Sequence, residues 1–188
     1  MIQRAVVVLA LMGIVFSSAP VMAATVTQLN ITGGSINLNL GLLGSVSGNF
    51  TQNGTLVMGS FQPPPDIFPP VTVDGHTFSI FSQSSGLFPA PSGETSGTAI
   101  NADLTSLFAG ISGPLFSGSL NIGGLAFGSY DPLTGAFSLS WTHVYDIASA
   151  GFSLEGTADV APVPLPAAIG LFATGLLGVI RVARRRMA

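Results

Sequence analysis

Gly135-Ala136-Phe137-Ser138-Leu139-Ser140-Trp141 sets a large apolar side chain at every second position from Phe137 onward, with a serine between each pair. A period of two is the mark of a strand with one face on a core and the other in water. Ser35-Ile36-Asn37-Leu38-Asn39-Leu40 alternates as strictly, and Thr77 to Phe81 does so in part. Asn53-Gly54 and Asp74-Gly75 each lie between such runs and read as two-residue type I′ hairpin turns. Asp131-Pro132-Leu133-Thr134-Gly135 reads as a longer hairpin loop joining Leu125–Tyr130 to Ala136–Tyr145. Gln62 to Pro70 and Ser82 to Thr95 are loops by their proline and serine content. Ala102 to Gly110 offers at most one turn of helix, and Gly-Ser phrases recur too irregularly for a solenoid. These signals predict an all-β, mostly antiparallel sandwich of about eight to ten strands, with a β-helix as the alternative.

Charge placement narrows the function. The chain has no Lys, its five basic residues being Arg4, Arg181, Arg184, Arg185 and Arg186, and all eight acids fall between Asp66 and Asp159. A body with acids and no bases repels phosphate backbones, so nucleic acid is excluded as a partner. Nucleotide substrates are disfavoured for the same reason, because nothing is present to clamp their phosphates. The absence of Cys removes disulfides, thiolate zinc sites and cysteine nucleophiles. An exported domain without cross-links relies on core burial, calcium or assembly for its stability.

Both ends read as addresses. Arg4, an apolar run from Ala5 to Phe16, and small residues at Val21 and Ala23 form a signal peptide over residues 1–23, cut after Ala23. At the other end Pro162, Pro164 and Pro166 alternate, which holds that stretch extended and out of any sheet interior. The apolar segment Ala167 to Ile180 then gives roughly 21 Å of helix against a hydrocarbon core of about 30 Å. Val182 and Ala183, with Arg181 snorkelling, bring it near the lower limit for a transmembrane span. Arg181, Arg184, Arg185 and Arg186 act as a topological stop and hold that end on the cytoplasmic side, which leaves the body outside. The chain thus divides into a signal peptide (1–23), an exported β-rich domain (24–160) and a tail (161–188).

Val163-Pro164-Leu165-Pro166-Ala167-Ala168, followed by Leu171-Phe172-Ala173-Thr174-Gly175-Leu176-Leu177-Gly178 and the arginines, resembles a PEP-CTERM sorting domain. More closely it resembles the Val-Pro-Leu-Pro-Ala variant, Leu165 standing where the name-giving Glu usually sits. The resemblance covers about 26 residues of the 188 and concerns the tail alone. It implies recognition by an exosortase, an integral-membrane processing enzyme, with Val163, Pro164, Leu165, Pro166, Ala167 and Ala168 as the sorting motif. It also implies transit through the inner membrane of a Gram-negative bacterium, with delivery to the cell surface or an exopolysaccharide or biofilm matrix.

Within the body the sequence offers little chemistry. There is no Gly-x-Ser-x-Gly elbow, no calcium loop and no zinc spacing, so no catalytic, cofactor-binding or metal residue is assigned and the protein is expected not to be an enzyme. His143 and Tyr145 share a strand face that Asp146 does not, so His143 and Asp146 are not simple neighbours. His76, beside its turn, is expected to be exposed. Trp141, Tyr130 and Tyr145 are the aromatics for a sugar-stacking platform, which defines the alternative function, a secreted carbohydrate-binding module or glycan-active enzyme. Core packing is the commoner fate of such residues in strands.

Overall fold

A computed structural model describes residues 23–162, apart from Leu40, Pro65, Asp66, Ser85, Leu115 and Ile147, together with Gly175. Its strands are β1 (Ala23–Asn39), β2 (Ser45–Phe50), β3 (Gly54–Val57), β4 (Val71–Val73), β5 (His76–Ser82) and β6 (Ser92–Ser96). They continue as β7 (Ala99–Asp103), β8 (Leu107–Ser112), β9 (Ser117–Asn121), β10 (Leu125–Tyr130), β11 (Ala136–Val144) and β12 (Ser149–Val160). One 3-10 turn, Gly41–Leu43, follows β1. The all-β, antiparallel expectation holds: each pairing among these strands is antiparallel.

The expected two-sheet sandwich is met only at the level of class. Strands β12, β11, β10, β7, β6 and β1 hydrogen-bond in that order, and β1 also pairs with β12, closing six strands into a barrel. A separate sheet runs β4-β5-β8-β9. Eight strands leave a bore just wide enough for side chains, so six leave less. Small residues meet that limit: Ala102, Ala126 and Ala158 point inward beside Leu29, Ile100 and Leu139. The Phe137, Leu139 and Trp141 alternation that decided the fold class is borne out, since all three are buried on β11.

Strand β1 organises the rest. One edge pairs with β12 from Val26 to Asn39. Its other edge meets β6 through Ala23–Thr25, β3 through Gln28–Ile31 and β2 through Gly34–Asn39. Thus the first part of β1 belongs to the barrel, and the last part carries β2, β12 and β11 beyond it as a flap. Gly34 sits at the change-over, where a Cβ would stand 2.8 Å from Phe50 Cζ and run into the Ser153 carbonyl.

Two local expectations are corrected by this arrangement. β2 and β3 lie end to end along the same edge of β1, so Asn53-Gly54 is not a hairpin turn but a step between successive strands. Gly54 is absent from the positive-φ residues, and its bare Cα accommodates Phe68, whose Cδ1 would be 2.5 Å from a Cβ. Ala102 to Gly110 forms no helical turn; it ends β7, turns at Thr105-Ser106 and starts β8. In contrast, Asp74 (φ 50°) and Gly75 (φ 76°) make the expected tight turn between β4 and β5. The Asp131–Gly135 loop joins β10 to β11 as predicted, with Gly135 at φ 74°.

Candidate functional site

Trp141, His143 and Tyr145 lie on one face of the β11 segment, as the period of two requires. That face points at the connection between β9 and β10. Trp141 Nε1 donates to the Ile122 carbonyl at 2.8 Å, and Tyr145 Oη donates to the Asn121 carbonyl at 3.1 Å. His143 Nδ1 lies 2.7 Å from the Gly123 carbonyl, which fixes it as the protonated ring nitrogen. Three successive same-face side chains therefore hold three successive carbonyls of residues 121–123. Burial raises the Tyr145 phenol above its ordinary value. The assembly is a clamp on the end of β9 and the connection that follows, with three side-chain donors set against three backbone acceptors.

Core packing, the commoner fate of such aromatics, holds for Trp141 and Tyr130. Trp141 is 7% exposed, with its ring stacked on Phe152 at 5.3 Å, and Tyr130 is 8% exposed inside the barrel. Neither presents a face to a ligand outside. His76 is half-buried rather than exposed, its Nδ1 3.1 Å from the Asp74 carbonyl. It lies on β5 and His143 on β11, in different sheets, so the two histidines are not brought together. Among the described residues no group of three or more His, Asp or Glu could hold a metal ion.

Among the described residues, two concave surfaces bear on function. One is a polar trough on the outer face of the barrel and flap. The register places Phe127, Ser140, Ser153, Ser35 and Asn49 in one row across β10, β11, β12, β1 and β2. Thr142, Gly151, Asn37 and Ser47 form a neighbouring row. Phe127 is 59% exposed at one side, and Ser35 Oγ and Ser153 Oγ are 2.7 Å apart on the floor.

The other is an apolar cleft between the flap and the four-stranded sheet. Its mouth has a volume of about 290 Å³, with Ile36, Phe50 and Phe68 on one wall and Phe78, Ile80 and Ala109 on the other. It narrows to a space of about 40 Å³ that Trp141 and Phe152 help to line. Sequence reasoning missed this cleft. The alternation of Ile36 and Leu38, and of Phe78 and Ile80, marked apolar faces without showing that the two faces oppose one another.

The expected sorting motif Val163, Pro164, Leu165, Pro166, Ala167 and Ala168, the expected stop Arg181, Arg184, Arg185 and Arg186, and the expected transmembrane span lie outside the described residues, Gly175 apart. So does the expected signal peptide up to Met22. Among the described residues no helix is long and apolar enough to cross a membrane. At the described flanks Ala23 pairs with Ser96, and the Ala161 amide donates to the Thr25 carbonyl at 2.8 Å. Ala23 and Ala161 therefore both lie at one end of the barrel. Phe152, at the closed end of the cleft, lies roughly 26 Å of strand from Val160, at about 3.3 Å per residue. No protein-family model matches this chain, and no match is found among curated proteins or among solved structures.

Proposed function

We propose that this chain is an exported structural protein of the cell surface or extracellular matrix, sorted and processed at its tail by an exosortase-type membrane enzyme. The observation that carries the reading is the order of the tail: an extended proline stub, an apolar segment of nearly membrane length, and an arginine stop. The barrel suits it. The body ends at Ala161, held by its hydrogen bond to Thr25, so the sorting motif starts within two residues of a rigid anchor. A cut after Ala23 removes one residue from the β1–β6 seam and leaves Ala24 and Thr25 paired with Thr95 and Glu94. The product, after processing at both ends, keeps the eight acids and loses all five basic side chains. Such a body stays apart from phosphate polymers and is compatible with uncharged exopolysaccharide. It carries no catalytic role in this reading and needs no cofactor.

Mass spectrometry of the mature protein tests the proposal. The expected C-terminus lies within 164–168 in cells that hold the processing enzyme; a chain still ending at Ala188 there overturns it.

A second reading, a carbohydrate-binding module, draws support from the polar trough. An exposed aromatic beside rows of hydroxyl and amide groups matches the two faces of a neutral sugar, its apolar C–H face and its hydroxyl rim. On this reading Phe127 takes the role that Trp141 cannot. Loss of glycan-array binding in Phe127→Ala, with Trp141 fluorescence unchanged, distinguishes it from the purely structural reading.

A further inference from the structure

The cleft between the flap and the four-stranded sheet is a cavity with walls but no hydrogen-bonding program. Ile36, Phe50 and Phe68 face Phe78, Ile80 and Ala109, and among the described residues no charged side chain lines it. Gln52 is the one amide in its lining, and its Nε2 is already committed to the Pro69 carbonyl at 2.7 Å. Ser35 and Ser153 touch the inner space and are bonded to each other. Ser79 turns its hydroxyl to the opposite face of β5, beside Phe81 and Gly110, which leaves Gln52 as the polar side chain at the mouth. A site of this composition holds its occupant by apolar contact and offers no counter-charge to a carboxylate or phosphate.

Shape decides between occupants. A helix is about 10–12 Å across with its side chains, so even one turn of it exceeds a mouth of about 290 Å³. At about 30 Å³ for each water-sized group, the mouth holds roughly ten groups in file. The geometry points to a binding site for one free, uncharged alkyl chain of about ten to twelve carbons. The chain lies between Ile36 and Ile80 with its methyl end toward Trp141 and its hydroxyl-bearing end at the mouth, beside Gln52. This inference concerns the body alone and stands whether or not the tail is processed.

Trp141 is the sole Trp of the chain, so the site carries its own reporter. The test is quenching of Trp141 emission in the full-length protein by 12-bromododecan-1-ol, whose heavy atom quenches on contact. The expected result is saturable quenching at micromolar probe. 2-Bromoethanol, too short to fill the cleft, is expected to give only weak, unsaturable quenching. 12-Bromododecanoate, which brings an unmatched carboxylate, is expected to bind on the order of tenfold more weakly. Ala109→Phe, which fills the mouth from the sheet side, weakens the bromoalcohol at least about tenfold while emission without probe stays the same. Phe78→Ala, at the exposed rim of the same wall, serves as a second variant that preserves the fold, and it weakens the bromoalcohol and 1-bromododecane alike by a few-fold. Equal, unsaturable quenching by the long and short probes overturns the inference. So does a long probe that leaves Trp141 unquenched while sedimentation shows a dimer, which would give the cleft to a second copy of the chain.

Discussion

The barrel and the four-stranded sheet are built from the same alternating sequence, yet they differ in how that alternation is used. In the barrel each strand has two hydrogen-bonded neighbours and each inward side chain meets others across the bore. Leu29, Ile100 and Leu139 reach 0% exposure. In the four-stranded sheet β4 and β9 are edges, and one face is covered only near the barrel. Ile80 and Leu107 are packed against or within the core, while Val71, Val73, Phe78 and Leu120 on the same face remain exposed. Neither edge strand carries a Lys, which is the usual guard against edge pairing. Period-two alternation therefore specifies which residues share a face, and the opposing element decides whether that face becomes core or surface.

Substitution of one residue from each region tests this difference most strongly. Leu139→Ala leaves a hole in a narrow bore that cannot collapse and is expected to lower stability by about 3 kcal/mol. Val73→Thr, on the exposed edge, is expected to change it by no more than about 0.5 kcal/mol. Denaturant unfolding of both variants gives the comparison, and equal effects would show that the sheet is as much core as the barrel.

A middle-sized effect is expected where the two regions are tied together. The β9–β10 connection passes from the sheet to the barrel, and the Trp141, His143 and Tyr145 clamp holds it. Trp141→Phe keeps an aromatic ring against Phe152 but strands the Ile122 carbonyl, a loss of about 1–3 kcal/mol. Amide exchange should then quicken at residues 121–124 before it quickens in β12. Uniform acceleration throughout the barrel would mean that Trp141 matters by its volume and not by its hydrogen bond.

Legibility in the sequence follows the range of the interaction. Strand β11 was readable because its face is written in consecutive residues, and the Asp74-Gly75 turn because both positive-φ positions are local. Asn53-Gly54 misled because a dipeptide does not say whether the next strand returns or continues. The edge of β1, long enough to receive β2 and β3 in series, decided that. Barrel closure rests on β1 meeting β12, with Val26 beside Val160, and no local residue type announces a pairing across most of the chain. The helical turn expected over Ala102 to Gly110 gave way because Asp103 and Leu107 are drawn into ladders with Leu125 and Ser82. The cleft lay further out of reach, since it depends on two separate faces meeting.

The smallest expected effect concerns a loop that belongs to the barrel and lies near its chain-terminal end. Asp131 accepts from the Leu133 amide at 2.9 Å and from the Thr134 hydroxyl at 2.8 Å. The Leu133 bond first, and then the Thr134 bond, hold its carboxyl below the ordinary value of 3.8. A value depressed by folding contributes stability that is present above the unfolded pKa and is lost as pH falls through the folded one. Asp131→Asn should therefore lower the thermal midpoint slightly near pH 6, and that difference should shrink as pH falls through the folded value and the wild-type carboxylate takes up its proton. The Tyr145 phenol shifts the opposite way, so its contribution is present below the ordinary value of 10.0 and is lost as pH rises through the folded value. Asp131→Asn should leave that alkaline limb unchanged. A pH-independent difference between wild type and variant would show that the loop is held by its backbone bond from Gly135 to Asp131, with no part played by the carboxylate's charge.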